Sequence, residues 1–470
     1  MALTLASCGG SIGESPVVAG ALPPQNVQQR QVGPPRSAEH DKLLAAYGGV
    51  YNNPRLERLV ASLVGRIVEA SDQPGRSVRI TILNSPVVNA FALPTGDLYL
   101  SRGLITLAND KSELAAVIAH ELAHVTANHA QLRQRQARAA ALARRVSDVV
   151  ADPAMKLQTR ETADLSLAAF SQRQEFQADE IGVKTLANAG FDPFAAARFL
   201  GSMARYAALP AFNAAASQQP GFLSSHPSTP ARVANARRVA RRFNAPGLGD
   251  TERDSYIAAL DGARFGDDPS EGYVRGREFA HVSLGIAFTV PEGYVLKNTS
   301  AAVLATDGEH TAIRFDAVAL PQDGDLQEYL RSGWVKGLIS ESVRANAVRG
   351  MEVAIASALV DGWSFRIGVV RGPAQVYRFI FASSKPASEY EAAFRRTLAS
   401  FRLLSPSDKA GMRPLTVRVV KVQPGDTVRS LSERMDGVEP SVKQALFETL
   451  NGIGPDRPLR PQMPVKIIVE

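Results

Sequence analysis

Cysteine is almost absent from this chain of 470 residues: Cys8 stands alone, so no disulfide bond can form within the chain. Long apolar runs are also missing, and no segment approaches the ~20 residues that a membrane-spanning helix needs. The net charge of +7 is small for this length, and no basic patch with interleaved aromatic residues argues for nucleic acid as a partner. What remains is an ordinary globular composition, 45% hydrophobic and 21% charged, with room for about two to four domains.

The single cysteine lies in a short motif near the N-terminus. Residues 5–9, LASCG, resemble the lipobox of bacterial lipoproteins, in which the cysteine is acylated. Only seven residues precede Cys8, fewer than an export signal needs, so residues 1–36 are interpreted as a truncated lipoprotein signal followed by a tether. The resemblance implies a periplasmic protein with a lipid anchor in the membrane, and Gly9 implies the outer membrane. The alternative is a free thiol on a loose terminus.

Changes in composition and hydrophobic periodicity divide the rest of the chain. Apolar residues recur at helical spacing through most of 110–244, whereas 282–404 shows strand-like alternation with two helical stretches. We therefore predict an α+β, multidomain fold. The predicted parts are a mostly helical domain with a small antiparallel sheet at 37–245, a linker at 246–276, an α+β domain of unknown role at 277–405, a linker at 406–413, and a last small unit at 414–470.

The strongest chemical signal is the run HELAH at residues 120–124, inside a segment with helical spacing. Residues four apart lie on one face of a helix, so His120 and His124 can bind one metal ion. Glu121 then lies near the open position of the metal, where it can deprotonate a bound water. In a chain with seven histidines, this pattern arises by chance with a probability on the order of one per cent.

Two histidines leave a catalytic zinc ion one protein ligand short. Glu175 and Asp179 are the candidates for completing the site, because they also lie four residues apart on a helical segment. This spacing allows Glu175 to bind metal while Asp179 hydrogen-bonds a ligand histidine. Taken alone, the pair is typical of a solvated acidic face. His129, five residues after His124, is predicted to point away from the metal-binding face and to be incidental.

Several motifs together resemble the HtpX/Oma/BepA-type zinc metallopeptidases, the family that also includes the CAAX prenyl endopeptidases. The HELAH run is followed by EFQAD at 175–179, then by His226-Pro227 and Arg232, and it is preceded by NAFALP at 89–94. The resemblance covers roughly residues 39–243. It implies a mostly helical zincin fold and a zinc-dependent endopeptidase activity.

The resemblance also implies residue roles. One zinc ion per chain would be held by His120, His124 and Glu175, and Glu121 would be the general base. His226 would stabilise the oxyanion or sit on the zinc as a removable latch.

Three further expectations concern the surroundings of that site. By the same resemblance, Asp179 and Arg232 would support the ligands or the structure. The strand 89–93 would lie beside the cleft, where an extended peptide can pair with its backbone; the alternative is a plain core strand. The implied substrates are unfolded or misassembled proteins of the bacterial envelope.

The last unit, 414–470, resembles a lysin motif (LysM), a βααβ module that binds peptidoglycan. The Gly-Asp-Thr signature at 425–427 and Leu450-Asn451 are present, but Gln462 replaces the glycine usual before the last strand.

Two alternatives to a working protease stay open. One is a mostly latched protease that acts as a chaperone or assembly factor for outer-membrane proteins, and the other is a peptidoglycan-binding adaptor.

Overall fold

The computed structural model describes residues 38–133, 135, 138, 172–209, 222, 226, 227, 229–299, 302–319, 324–454 and 458–470. The described residues form two compact units, a smaller one within 299–401 and a larger one built from 38–298 and 402–470. Within these ranges, no helix combines the length and apolar character that crossing a membrane requires. Cys8 and the predicted tether lie outside the described residues.

Helices predominate between residues 102 and 259 of the described chain, and strands between 273 and 383. The principal helices are α1 (Ala38–Ala46), α2 (Pro54–Ala70), α3 (Arg102–Leu107), α4 (Lys111–Thr126), α5 (172–188), α6 (Ala195–Ala208), α7 (Pro230–Ala240), α8 (Arg253–Ala259), α9 (Leu326–Arg331), α10 (Ala387–Ser400), α11 (Pro406–Gly411), α12 (Val428–Glu433) and α13 (Pro440–Asn451). The strands are β1 (Arg79–Leu83), β2 (Ala90–Ala92), β3 (Asp97–Ser101), β4 (Tyr273–Arg275), β5 (Glu278–His281), β6 (Ile286–Thr289), β7 (Val295–Asn298), β8 (Val303–Thr306), β9 (Thr311–Val318), β10 (Leu338–Val348), β11 (Met351–Val360), β12 (Trp363–Arg371), β13 (Val376–Ser383), β14 (Arg402–Leu403), β15 (Thr416–Lys421) and β16 (Pro464–Val469).

The two helices that organise the larger unit begin at local capping signals. The Asn53 side chain accepts hydrogen bonds from the first turn of α2, whose first residue is Pro54. The Asp110 carboxylate accepts from the backbone N–H of Glu113 at 2.8 Å and begins α4. Every residue of α4 from Ser112 to Val125 is buried, so this helix runs through the core. The core thereby fixes the helix that carries residues 120–124.

The small sheet beside α4 corrects one prediction. Its strand order is β1-β3-β2, with β2 antiparallel to β3 but β1 parallel to β3. The predicted antiparallel sheet is therefore a mixed sheet. The tight turn at Gly96 makes β2 and β3 a hairpin, and β3 then inserts between β2 and β1. Within the described residues, β2 is an edge strand of this sheet.

The C-terminal segment has the element order β15, α12, α13, β16, with β15 antiparallel to β16. Its apolar residues share one core cluster with α2, α4 and α6. On its other edge β15 exchanges backbone hydrogen bonds with 262–265, including Val417 N–H to the Ala263 carbonyl at 2.8 Å. The buried Lys466 ammonium donates to the carbonyls of Thr106 and Ala108 at 2.8 Å each, at the end of α3. The β-α-α-β order is the one expected of a LysM module, whereas the identity of the module stays a prediction.

The smaller unit is an antiparallel sheet in the order β10-β11-β12-β13-β9-β8, packed with α9 and α10. Asp361 and Gly362 both have positive φ, 50° and 82°, which suits the two-residue turn between β11 and β12. The described chain as a whole is thus α+β and multidomain, as predicted. A further sheet, β14-β6-β5-β4, belongs to the larger unit.

Candidate metal centre

Four buried side chains from three segments meet at the end of the larger unit's central helix. His120 and His124 lie on α4, Glu175 on α5, and His226 in the turn before α7, and one ligand atom from each lies within 4.8 Å of all the others. The Nε2 atoms of His120 and His124 are 3.0 Å apart. His226 Nδ1 lies 2.9 Å from both oxygens of Glu175 and 3.3 Å from His120 Nε2.

This donor set fits a metal ion such as zinc. Imidazole nitrogens and a carboxylate are ligands that zinc accepts. His120 Nδ1 lies 3.1 Å from Asp179 Oδ1, so a proton on Nδ1 leaves a lone pair on Nε2, which faces the centre. Neutral lone pairs that face one another at 3.0 Å repel unless a cation or a proton lies between them. The geometry therefore allows these atoms to act as ligands of one common ion.

Two groups of the cluster, His124 and Glu175, have the charge that metal binding requires, whereas His120 has to release a proton when a metal binds. Burial lowers the pKa of His120, but hydrogen bonds to Asp179 and Glu175 outweigh it and raise the pKa to about 9. Burial and the neighbouring His120 hold the pKa of His124 far below its usual range. Burial opposes the charge on Glu175, yet hydrogen bonds to His120 and His226 hold its pKa well below the usual value. An ionised Glu175 beside a neutral His124 is what metal binding requires.

Arg232 supports the ligands from behind. Its Nε and Nη2 donate to the two oxygens of Asp179 at 2.8 and 2.7 Å. Its Nη1 lies 2.9 Å from Glu175 Oε2 and donates to the Pro227 carbonyl at 3.2 Å. The predicted pair of Asp179 and Arg232 is therefore brought together beside the cluster. The Arg232 guanidinium therefore holds three groups in place: the Glu175 carboxylate, the Asp179 carboxylate and the backbone carbonyl of Pro227.

Glu121 stands apart from these pairings. It is 3% exposed, and its Oε1 has no hydrogen-bond partner among the described residues; the nearest imidazole atom recorded, His226 Nε2, is 3.6 Å away. Burial raises the pKa of this carboxyl. Glu121 lines a cavity of about 150 Å³ together with His124, His226 and residues of the edge strand β2, Phe91 and Ala92. Its carboxylate is thus free to take part in chemistry inside that cavity.

His129 corrects the prediction that it points away. A continuous helix would carry it off the His120–His124 face, but α4 ends at Thr126 and Asn128 adopts a φ of 54°. The chain turns there, and His129 comes back fully buried, with its Nδ1 2.9 Å from His124 Nδ1. The signal in the sequence was Asn128, since asparagine tolerates the left-handed conformation that ends helices.

The sequence comparisons point to one class of enzyme. A family model described as Peptidase family M48 matches residues 52–240. The "Beta-barrel assembly-enhancing protease" of Escherichia coli (strain K12) is 30% identical over 220 residues, 44% of this chain and 43% of that protein. The "Mitochondrial metalloendopeptidase OMA1" of Schizosaccharomyces pombe is 30% identical over 182 residues, 37% of this chain and 50% of that protein. The chain spans half or less of the length of either relative. The solution structure of cyanobacterial PsbP from Synechocystis aligns with 29% of this chain and 98% of that chain, at 13% identity and a TM-score of 0.23, too low to carry an argument.

Proposed function

Because residues 52–240 match the model of peptidase family M48, we propose that this chain is a zinc-dependent endopeptidase. One zinc ion would be held by His120, His124 and Glu175. The observation that carries the proposal is the convergence of these ligand atoms, at a cavity, next to Glu121, whose Oε1 has no hydrogen-bond partner among the described residues. Three protein ligands with room for a water molecule are the arrangement of catalytic rather than structural zinc.

The residues divide the chemistry of peptide hydrolysis. When bound, the metal would polarise the scissile carbonyl and make water more acidic. Glu121 accepts the proton of the attacking water and passes it to the leaving nitrogen. Its raised pKa suits this exchange, because a carboxyl whose pKa lies closer to neutral pH both accepts and releases a proton readily. Asp179 keeps the Nδ1 proton of His120 in place, and Arg232 keeps Asp179 ionised.

His226 is proposed to act as a latch rather than as an oxyanion donor. Its Nδ1 lies among the ligand atoms, and its ring stacks on Phe222 with centroids 4.6 Å apart. The backbone N–H of His226 donates to the Phe222 carbonyl, and that of Phe222 donates to the Val88 carbonyl just before β2. The latch is therefore tied to the strand that lines the cavity.

The two roles of His226 predict opposite outcomes. Removing a latch exposes the metal to water and substrate, so His226→Ala should raise basal cleavage of an unfolded protein such as casein. Removing an oxyanion donor would lower it. An unchanged rate would remove His226 from the site altogether.

The substrates are proposed to be unfolded or misassembled proteins of the bacterial envelope. One relative carries the name beta-barrel assembly-enhancing protease. The strand β2, an edge strand among the described residues, lies at the wall of the cavity, where an extended peptide could pair with its backbone. The second candidate function is that of a chaperone or assembly factor with a mostly latched site, which the position of His226 favours.

An outer-membrane lipid anchor through Cys8 remains our proposal from the sequence. The protein expressed from its native gene should incorporate palmitate and sediment with membranes, and Cys8→Ser should do neither. An unlabelled precursor that stays in the soluble fraction would end this proposal.

Peptidoglycan binding through 414–470 is likewise a proposal, supported by the β-α-α-β order. Because this segment shares its core with the rest of the larger unit, the full chain is the right probe. It should sediment with purified peptidoglycan above the level of an unrelated control protein. The shared core makes a free-standing wall adaptor the weaker alternative.

The endopeptidase is tested through Glu121. Glu121→Gln keeps the shape of the side chain but cannot accept a proton, so it should keep one zinc ion and lose ~100-fold or more in the rate of casein cleavage. His120→Ala, His124→Ala and Glu175→Ala should lose both zinc and activity, because two protein ligands hold catalytic zinc poorly. Glu180→Gln, which changes an exposed glutamate on α5, is the matched control.

Cleavage by Glu121→Gln at the parent rate would refute the mechanism. The chaperone would be established instead if the parent chain cleaves nothing and if the parent and Glu121→Gln restore a deletion phenotype equally well.

A further inference from the structure

His129 connects the two helices that carry the metal ligands. Its Nδ1 lies 2.9 Å from His124 Nδ1, and its Nε2 lies 3.2 Å from Gln177 Oε1 on α5. Its backbone carbonyl accepts a hydrogen bond from Gln174 Nε2, also on α5, at 3.0 Å. The imidazole is fully buried. Both of its nitrogens are therefore engaged, one by the helix of His124 and the other by the helix of Glu175.

Metal binding fixes the direction of these hydrogen bonds. His124 turns Nε2 towards His120 and Glu175, 3.0 Å and 3.4 Å from their nearest atoms. For Nε2 to offer its lone pair to a metal ion, the proton of a neutral His124 must lie on Nδ1. His129 Nδ1 must then accept that proton's hydrogen bond, which places the proton of His129 on Nε2. From there it is donated to the Gln177 amide oxygen, so every atom of the relay has a consistent role.

The two histidines on α4 therefore differ in what stands behind them. His120 donates to Asp179, a carboxylate held by Arg232. His124 faces a neutral imidazole instead, which accepts its hydrogen bond without adding a negative charge to the buried cluster. An acceptor behind a metal-binding histidine fixes both its tautomer and the plane of its ring.

We propose that His129 is a positioning residue for His124, holding its Nε2 towards the metal ion in a relay that ends on Gln177. This inference rests on the proposed zinc site. His129 itself is not a ligand, because its nitrogens face His124 Nδ1 and Gln177, on the side of His124 away from Nε2. The break at Asn128 is what makes the contact possible, since it returns the chain to α4.

The test is zinc affinity, measured by competition with a chromogenic chelator on the full chain. His129→Leu removes the acceptor and should weaken zinc binding ~10–100-fold, as loss of a group behind a metal ligand does. His129→Asn places an amide near the position of Nδ1 and should recover most of the affinity. Gln177→Met, at an exposed position, should weaken zinc binding less than His129→Leu does. His310→Leu, an exposed histidine of the smaller unit, is the control and should bind zinc like the parent.

The outcomes separate this inference from the zinc site itself. If the parent chain binds no zinc, the proposed function fails. If the parent binds zinc and a folded His129→Leu binds it equally tightly, only the role of His129 fails. If His129→Leu does not fold, the comparison of His129→Asn and Gln177→Met with the parent decides. Parent-like affinity in Gln177→Met together with tenfold weaker binding in a folded His129→Asn would overturn the relay.

Discussion

Glu121 in α4 and Asp316 in β9 are buried to the same degree, each 3% exposed, yet the two regions treat the carboxylate in opposite ways. In the sheet, Arg378 donates to both oxygens of Asp316 at 2.7 and 3.0 Å, and Arg314 adds a hydrogen bond at 2.9 Å. At the metal centre, Glu121 Oε1 has no partner among the described residues. Burying an unpaired polar group costs free energy. Burial alone therefore does not distinguish the two carboxylates, whereas the missing partner of Glu121 Oε1 does.

The number of guanidiniums per carboxylate also differs between the sheet and the candidate metal centre. Asp316 has two guanidiniums for one carboxylate. Arg232 is one guanidinium for two carboxylates, Glu175 and Asp179. The sheet thus neutralises its charge with protein groups alone, while the candidate metal centre has more carboxylates and imidazoles than arginines. An excess of buried lone-pair donors around one point is the arrangement of a cation site. The predictions below test how buried charges are matched in different parts of the molecule.

The largest effect is expected from removing the arginine of each region. Arg232→Met leaves two buried carboxylates without their guanidinium, which should lower the free energy of unfolding by about 3–5 kcal/mol and weaken zinc binding as well. Arg378→Met leaves Asp316 with Arg314 and should cost about 1–3 kcal/mol, with zinc affinity unchanged. Denaturant unfolding and chelator competition on both variants measure this. Equal loss of zinc in the two variants would erase the distinction between the regions.

Local signals explain what the sequence predicts well. The capping residues Asn53 and Asp110 begin α2 and α4 as expected, because a cap acts on the first turn that follows it. The spacing within 120–124 brings the two histidines together for the same reason: the contact is made inside one helix. The segments of Glu175 and His226, far apart in sequence, meet in the same cluster. The roles that the family resemblance implies for these residues stay predictions.

The features that were missed depend on where a segment ends or on distant contacts. The position of His129 follows from a helix that stops at Thr126, and helix ends are the least certain part of a pattern. The parallel pairing of β1 with β3 depends on the order of strands, which alternation does not encode. The core shared by 414–470 with α4 depends on which surface the segment packs against, so the Lys466 contact with Thr106 had no signal in the sequence.

Lys466 provides a second, smaller test of charge matching, since here a buried ammonium donates hydrogen bonds to helix carbonyls. Its ammonium meets the negative end of α3 at the carbonyls of Thr106 and Ala108. Lys466→Met keeps the length of the side chain but leaves these carbonyls without that donor, so the free energy of unfolding should fall by about 1–3 kcal/mol. Lys421→Met, at an exposed position of β15, should change nothing. If both variants unfold like the parent in urea, the ammonium of Lys466 stabilises nothing.

Glu271 sharpens the comparison from the other side, because its carboxyl is poorly solvated but lies outside the metal centre. Burial, with a contribution from Asp267, raises its pKa to about 7, and Arg102 opposes the shift only in part. The folded chain therefore keeps this proton up to about pH 7, whereas the unfolded chain releases it near its ordinary pKa of 4.5. Between these values the folded state binds more protons, so stability falls as the pH rises.

The substitution Glu271→Gln removes that titration. It should leave stability nearly unchanged below about pH 4.5 and stabilise the chain at pH 8 by about 2 kcal/mol, at 1.36 kcal/mol per pKa unit discounted for the partial exposure of the side chain. Unfolding of both proteins in urea across pH 4–8 measures the difference, and a difference independent of pH would contradict it. At each pH, Glu271→Gln should bind zinc as tightly as the parent does. Glu271 relieves its burial by taking up a proton. Burial raises the pKa of Glu121 as well, but there the imidazoles of His226 and His120 oppose the rise.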